Sequence, residues 1–449
     1  MHKYRFFNLL LLIFHFTFAI PLSLAWDNHF YGTSIALSEI EELKNAPVVE
    51  AENLEGFLNS IASNPNDLKA LTTLLAQIER WAQKNIPQYQ PLPPRLELQS
   101  TGDLKNLKQN FLSSIRVNPT LKFALFLQNL PEERYSKSLR LEPHHFTLFP
   151  NSIHKSEQSF RSLKRGEKAS LVSVISTASD EPDYGLDTGL WEDNGTPFGA
   201  LYGFGKQPFG NPRLEYSSQA PFHMAFLFEN KIVEAAAPFI KNTYPKYRFY
   251  LFQNLSQFAF EKGHRYWGAR FLGWALHYLQ DLTQPYHSTL MPGASTLSML
   301  SINGLVLLGF PRLKNEGIQV LTNHHLALEN YGFHFFYDFL SKGKWKALSK
   351  ALQSEPPEPL LPATDFLKMA AKESHGLSVQ TQTVLTKTFP EGLISNPHYF
   401  FGETDPTINT FNIIENESIT SRNGMRDLLI SLQQNFVRHS RAWIRSQFN

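Results

Sequence analysis

LHYLQDLTQPYH, residues 276 to 287, decides how this chain is read. Residues four apart share a helix face, so His277 and Asp281 can converge on a single ion. Pro285 then disfavours further helix, and the turn it starts can return His287 to the same face. Imidazole and carboxylate together suit zinc.

Working outward, His325 and Glu329 repeat the spacing of four inside a stretch of helical periodicity. Alone, such a pair is commonplace on solvated helix faces; beside the first motif it adds one nitrogen and one carboxylate. Five side chains are too few for several zinc ions, each of which needs about three or four protein ligands. The acidic loop Ser179 to Asp187 offers Asp180, Asp183 and Asp187, or else is a solvated turn. His223, among the apolar residues around Pro221 and Phe222, is a further ligand or a hydrogen-bonded core histidine.

The 449 residues contain no cysteine and 16 histidines, so no disulfide can form and any metal must be held by nitrogen and oxygen. Lys3 and Arg5 precede an apolar run from Phe6 to about Ile20, and Ser23 and Ala25 occupy the −3 and −1 positions of a cleavage site. That is signal-peptide grammar, and it predicts a secreted or periplasmic protein with a mature start at Trp26. The free amine and carbonyl of Trp26 can then chelate a metal beside His29, the alternative being a frayed terminus. Lys and Arg total 42 against 40 Asp and Glu, so the chain lacks the basic field that draws nucleic acid.

Taken in order, these residues resemble the three-zinc phospholipase C family, which is related to the fungal single-strand nucleases. That family has an N-terminal tryptophan, a nearby histidine, then Asp, His, His-x3-Asp-x5-His and His-x3-Glu or Asp. Here the order reads Trp26, His29, Asp183, His223, His277, Asp281, His287, His325 and Glu329. Trp26 and His29 are closer than in the best-known members, and the gap from Asp183 to His223 is longer. The acidic ligand is Asp180, Asp183 or Asp187; Pro-Asp followed by an aromatic fits the family best at Asp183.

The resemblance implies a first zinc on Asp183, His223, His277 and Asp281, and a second on His287, His325 and Glu329. A third would lie on Trp26, His29 and the shared Asp281. It also implies a phospholipase C that cleaves phospholipids, phosphatidylcholine foremost, to diacylglycerol and a phosphorylated head group. A phosphodiester resists hydroxide attack, and clustered zinc supplies both charge neutralisation and an acidified water. Asp183 is the expected catalytic base or orienting group; Tyr184 and Trp191 either contact the head group by cation–π attraction or are ordinary packing residues, with Tyr184 the head-group candidate. A single-strand nuclease and a non-enzymatic zinc- or lipid-binding protein are the competing readings. A phospholipid at a membrane surface is the expected partner, with no nucleic acid and no stable protein partner.

The fold class expected is mostly α, a multi-helix phospholipase C/nuclease-type domain. Residues 1–25 are read as the signal peptide, 26–345 as the catalytic domain with a helical insertion at about 45–165, and 346–449 as a C-terminal extension. The stripe Leu68, Leu71, Leu74, Leu75 and Ile78 reads as an amphipathic helix. Ser295 to Pro311 is a buried helix or an exposed lipid-contacting loop. Met425 to Phe448 reads as a terminal amphipathic helix.

Overall fold

The computed structural model describes residues 29–99, 106–153, 157–210, 216–307, 312–353, 363–401, 404–405 and 407–448. The expected signal peptide and Trp26 lie outside them. The fold is mostly α, at 64% helix and 3% strand. The helices that frame the site are α1 (His29–Ser38), α2 (Leu54–Ser63), α3 (Pro65–Asn85), α4 (Leu171–Ala178), α5 (Pro245–Glu261), α6 (Arg265–Asp281), α7 (Thr296–Leu307), α8 (Arg312–Ser341), α9 (Ala363–Thr388) and α10 (Ile419–Phe448). Two short antiparallel pairs, Val49–Glu50 with Lys168–Ala169 and Phe126–Asn129 with Ser159–Ser162, tie down the loops between them.

Helix α6 is the axis of the molecule. Every residue from Tyr266 to Asp281 is buried, as in a helix surrounded by others on all sides. Two glycines let its neighbours approach. A Cβ on Gly273 would lie 2.5 Å from both the Ala178 Cβ and the Ile175 carbonyl of α4, and one on Gly268 would lie 2.7 Å from the Phe260 ring of α5. Trp267 and Trp274 fill the remaining space against Phe57, Phe252 and Phe271.

The expected insertion at 45–165 is not set apart from this core. The α3 stripe buries Leu68, Leu71 and Ile78, and Leu71 and Ile78 belong with Phe57, Phe111, Trp267 and Phe271 to one apolar cluster. Asn64 caps α3 at its Asn66 amide, and Pro65, with no amide to satisfy, opens the first turn. A second cluster joins α1, α8 and α10 through Tyr31, Phe333, Phe336, Leu432 and Phe436. The C-terminal extension is thereby packed onto the N-terminal helix, closely enough that a Cβ on Gly32 would lie 2.6 Å from Phe436.

Residues 296–307 form a helix whose first turns face both ways. Met299 is buried in a small cluster with Met224 and Phe226, and Leu297 is 74% exposed. Among the described residues no helix is long and apolar enough to cross a membrane.

Candidate metal centre

Asp281 is the last residue of α6, and His277 stands one turn before it on the same face. The chain turns through Leu282 to Gln284 and re-enters a one-turn helix, Pro285–Ser288, that carries His287. The Gln284 side chain caps that turn by accepting the Tyr286 amide at 2.6 Å, and its Nε2 donates to Glu329 Oε1 at 3.2 Å. His325 and Glu329 face inward from α8, and His29 opens α1. The acidic loop follows α4: Glu181–Tyr184 is a single 3₁₀ turn opened by Pro182 and closed by Gly185 at φ 115°, a left-handed conformation favouring glycine.

Eight side chains singled out by sequence, His29, Asp183, His223, His277, Asp281, His287, His325 and Glu329, come together, all buried. Asp281 lies between two groups. Its Oδ2 is 3.1 Å from His277 Nε2 and 3.0 Å from His223 Nδ1. Those nitrogens are 3.0 Å apart, and Asp183 Oδ1 lies 3.5 Å from His223 and 3.8 Å from His277. A tetrahedral ion with ligands at about 2.0 Å has edges of about 3.3 Å, so these five separations describe most of such a cage. The other oxygen, Asp281 Oδ1, is 3.4 Å from His29 Nε2 and 3.5 Å from His287 Nδ1.

The second cage is smaller. His287 Nε2 and His325 Nε2 are 3.1 Å apart, and Glu329 Oε1 lies 2.6 Å from the latter and 3.8 Å from the former. Three ligands leave a fourth position for water or substrate, the pattern of an open site. Each of the sets His29–His277–Asp281, Asp183–His223–His277 and His287–His325–Glu329 presents atoms within 4.8 Å of one another and can hold a metal ion. The first and second sets share His277, whose Nδ1 is occupied by the Ser179 carbonyl at 2.8 Å, so one nitrogen serves both.

The protein alone leaves this cluster unsatisfied, which is the test of whether it fits a metal. His29 Nε2, both Asp281 oxygens, His287 Nδ1 and Glu329 Oε2 are shielded from solvent with no hydrogen-bond partner. Groups orphaned in this way are expensive unless an ion completes them. Two nearby arginines are already committed: Arg248 to Asp187 at 2.7 Å and Arg270 to Glu181 at 2.8 Å. Among the described residues, Asp183, Asp281 and Glu329 have no Lys or Arg partner.

The metal-free electrostatics point the same way. Burial lifts Glu329 to about 8 and Asp183 well above the carboxylate range. Although burial opposes its charge, Asp281 is held well below that range by the His277 and His223 imidazoles beside it. The Asp281 charge raises Asp183 further, and Asp281, ringed by imidazoles, is the charged one of the two. Burial pushes His277 and His325 down to about 3, which leaves them neutral and ready to ligate. Burial also opposes charge on His223, but Asp281, Asp187 and Asp183 outweigh it and raise the imidazole to about 10.

The three acids of the loop, of which the sequence pattern favours Asp183, have separate surroundings. Asp183 faces the imidazoles. Asp187 is turned away onto Arg248 and the Tyr278 hydroxyl at 2.6 Å, with His223 Nε2 3.4 Å behind. Asp180 accepts the Phe30 amide at 3.0 Å and so fixes the start of α1 beside His29.

Tyr184 does not stand where a head-group contact is expected. It is 6% exposed, packed with Phe126, Phe146 and Phe160, and its hydroxyl donates to Gln128 Oε1 at 3.2 Å. Trp191 is likewise buried against Phe204, Phe222 and Tyr244, with Nε1 donating to the Ser218 carbonyl at 2.8 Å. The apolar environment that follows the acidic loop has drawn both rings inward. Gln280 and Gln284, which contact His29 and Glu329, are neighbours of the cluster that the motif reading passes over. Their one signal is polarity at positions where a buried helix and its turn otherwise want apolar residues.

Comparison of the chain with protein-family models, with curated proteins and with solved structures gives no match.

Proposed function

We propose that this chain is an exported zinc-dependent phosphodiesterase of the phospholipase C type. The observation that carries the reading is one buried carboxylate, Asp281, with imidazole nitrogens 3.0 to 3.5 Å from each of its two oxygens and no hydrogen bond to either. Asp183, His223, His277 and Asp281 would hold one ion; His287, His325 and Glu329 a second; and His29 and Asp281, with Trp26, a third. Bound zinc supplies positive charge for the phosphoryl oxygens and lowers the pKa of water towards about 7.

The chain's own groups divide the remaining work. The Asp183 side chain is the most open of the set at 8%, against 0% for Asp281, and its Oδ2 lies 4.0 Å from His29 Nε2. One Asp183 oxygen turns towards His223 and the other towards His29, so this carboxylate can orient a water and take its proton. The Ser179 carbonyl on His277 Nδ1, Asp187 behind His223 and Gln284 on Glu329 hold the ligands at fixed angles.

A lipid substrate is favoured over a nucleic acid by the near balance of 42 Lys and Arg against 40 Asp and Glu and by the apolar sequence of α7 between His287 and His325. The test is purified protein beginning at Trp26, assayed with and without chelator on phosphatidylcholine and on single-stranded DNA. Chelator-sensitive release of phosphocholine supports the proposal. Nucleotide release transfers it to a nuclease, and neither product leaves a binding protein.

A further inference from the structure

Gln280 directly precedes Asp281 on α6 and is fully buried. Its amide is saturated. Oε1 lies 2.8 Å from His29 Nδ1, while Nε2 donates to Thr33 Oγ1 at 2.8 Å and to Ser440 Oγ at 3.0 Å. Thr33 belongs to α1 and Ser440 to α10, so a single side chain on α6 fastens the first described helix and the last beside the metal centre.

The valences decide the histidine's form. With both amide hydrogens directed at hydroxyls, Gln280 has only its carbonyl to offer His29, and Nδ1 must carry the proton. His29 Nε2 is then left bare, 3.4 Å from Asp281 Oδ1, with no hydrogen-bond partner. We infer that Gln280 is a positioning residue: it sets the tautomer and ring angle of His29 for metal binding, and Ser440 of the C-terminal helix holds Gln280 in that orientation. The C-terminal extension thereby becomes part of the metal centre. Phe436, one turn before Ser440, supports this by packing its ring 5.9 Å from that of His29. Outer-sphere partners of this kind typically change metal affinity by about 10–100-fold.

The inference rests on the metal-centre reading, and its test reads metal content. The chain beginning at Trp26 is dialysed against graded free zinc, and bound zinc per chain is measured for wild type, Gln280→Leu, Gln280→Glu and Ser440→Ala. Gln280→Leu should lack about one equivalent at the zinc level that saturates wild type and refill only at about 10–100-fold higher zinc. Gln280→Glu keeps an acceptor towards Nδ1, and the two hydroxyls can reverse to donate to it, so it should load like wild type. Ser440→Ala should shift the same equivalent by a smaller factor. A Gln280→Leu that fills alongside wild type, or a Gln280→Glu as deficient as the leucine variant, overturns the inference. Should the leucine variant fail to fold, Ser440→Ala decides: an unshifted curve overturns it. A wild-type chain that takes up no zinc sinks the metal-centre reading itself.

Discussion

Asp281→Asn is the most informative single change, because the amide keeps the shape of the carboxylate and removes its charge. The four imidazole nitrogens around it lie at 3.0 and 3.1 Å from one oxygen and 3.4 and 3.5 Å from the other, so the loss falls on two ion positions together. A ligand bound to the native state stabilises it by about 2.7 kcal/mol at 100 times its dissociation constant. Three such ions contribute about 8 kcal/mol. An unfolding entropy of about 2.1 cal/mol/K per residue, over roughly 400 residues, converts this to a rise of about 9 °C in Tm on zinc addition. Asp281→Asn keeps the three ligands His287, His325 and Glu329, although His287 loses its Asp281 neighbour, and should retain a rise of at most about 3 °C. The assay is thermal unfolding of wild type and variant with chelator and with saturating zinc, read beside zinc per chain. A variant that gains as much as wild type would falsify the bridging role.

Three further outcomes follow from the same geometry. In the metal-free protein His223, raised to about 10, and Glu329, raised to about 8, both hold protons at pH 7 and must release them to ligate. Zinc affinity should therefore increase with pH through neutrality and fall as pH drops; calorimetry in buffers of different ionisation enthalpy should register the released protons, and heats that do not vary with buffer contradict the assignment. Gly273→Ala forces a methyl to within 2.5 Å of α4 and should destabilise by about 1–3 kcal/mol in a denaturant titration while weakening zinc binding, because His277 sits one turn further along the displaced helix. Tyr184→Phe removes one hydrogen bond to Gln128, worth about 1 kcal/mol, and should leave KM for phosphatidylcholine unchanged; a large increase in KM would restore the head-group role.

The spacing of His277 and Asp281, and of His325 and Glu329, was readable because a helix repeats nearly every four residues, so two letters specify one face. The same periodicity marked the α3 stripe and the terminal helix, which begins at Ile419, a little earlier than Met425. What the letters hid was long-range and polar. Helix periodicity does not separate Asp180, Asp183 and Asp187, and only the Pro-Asp-aromatic order favoured Asp183. Their separation into a helix anchor, a metal-facing acid and an Arg248 partner depends on where α1, α5 and α6 cross the loop. For Tyr184 and Trp191 sequence could not separate packing from head-group contact, because an aromatic next to a chemical motif reads the same whether it faces a ligand or the core. The roles of Gln280 and Ser440 depend on a meeting 160 residues apart in sequence, which no local pattern encodes.

The central claim is tested most directly by titrating zinc into metal-free protein beginning at Trp26 and following phosphatidylcholine hydrolysis and bound zinc in the same samples. Phosphocholine release should rise as the sites fill, reach its maximum near three ions per chain, and be abolished by chelator. Hydrolysis that is indifferent to the chelator, or full zinc loading with no phosphorylated head group released, would contradict the account.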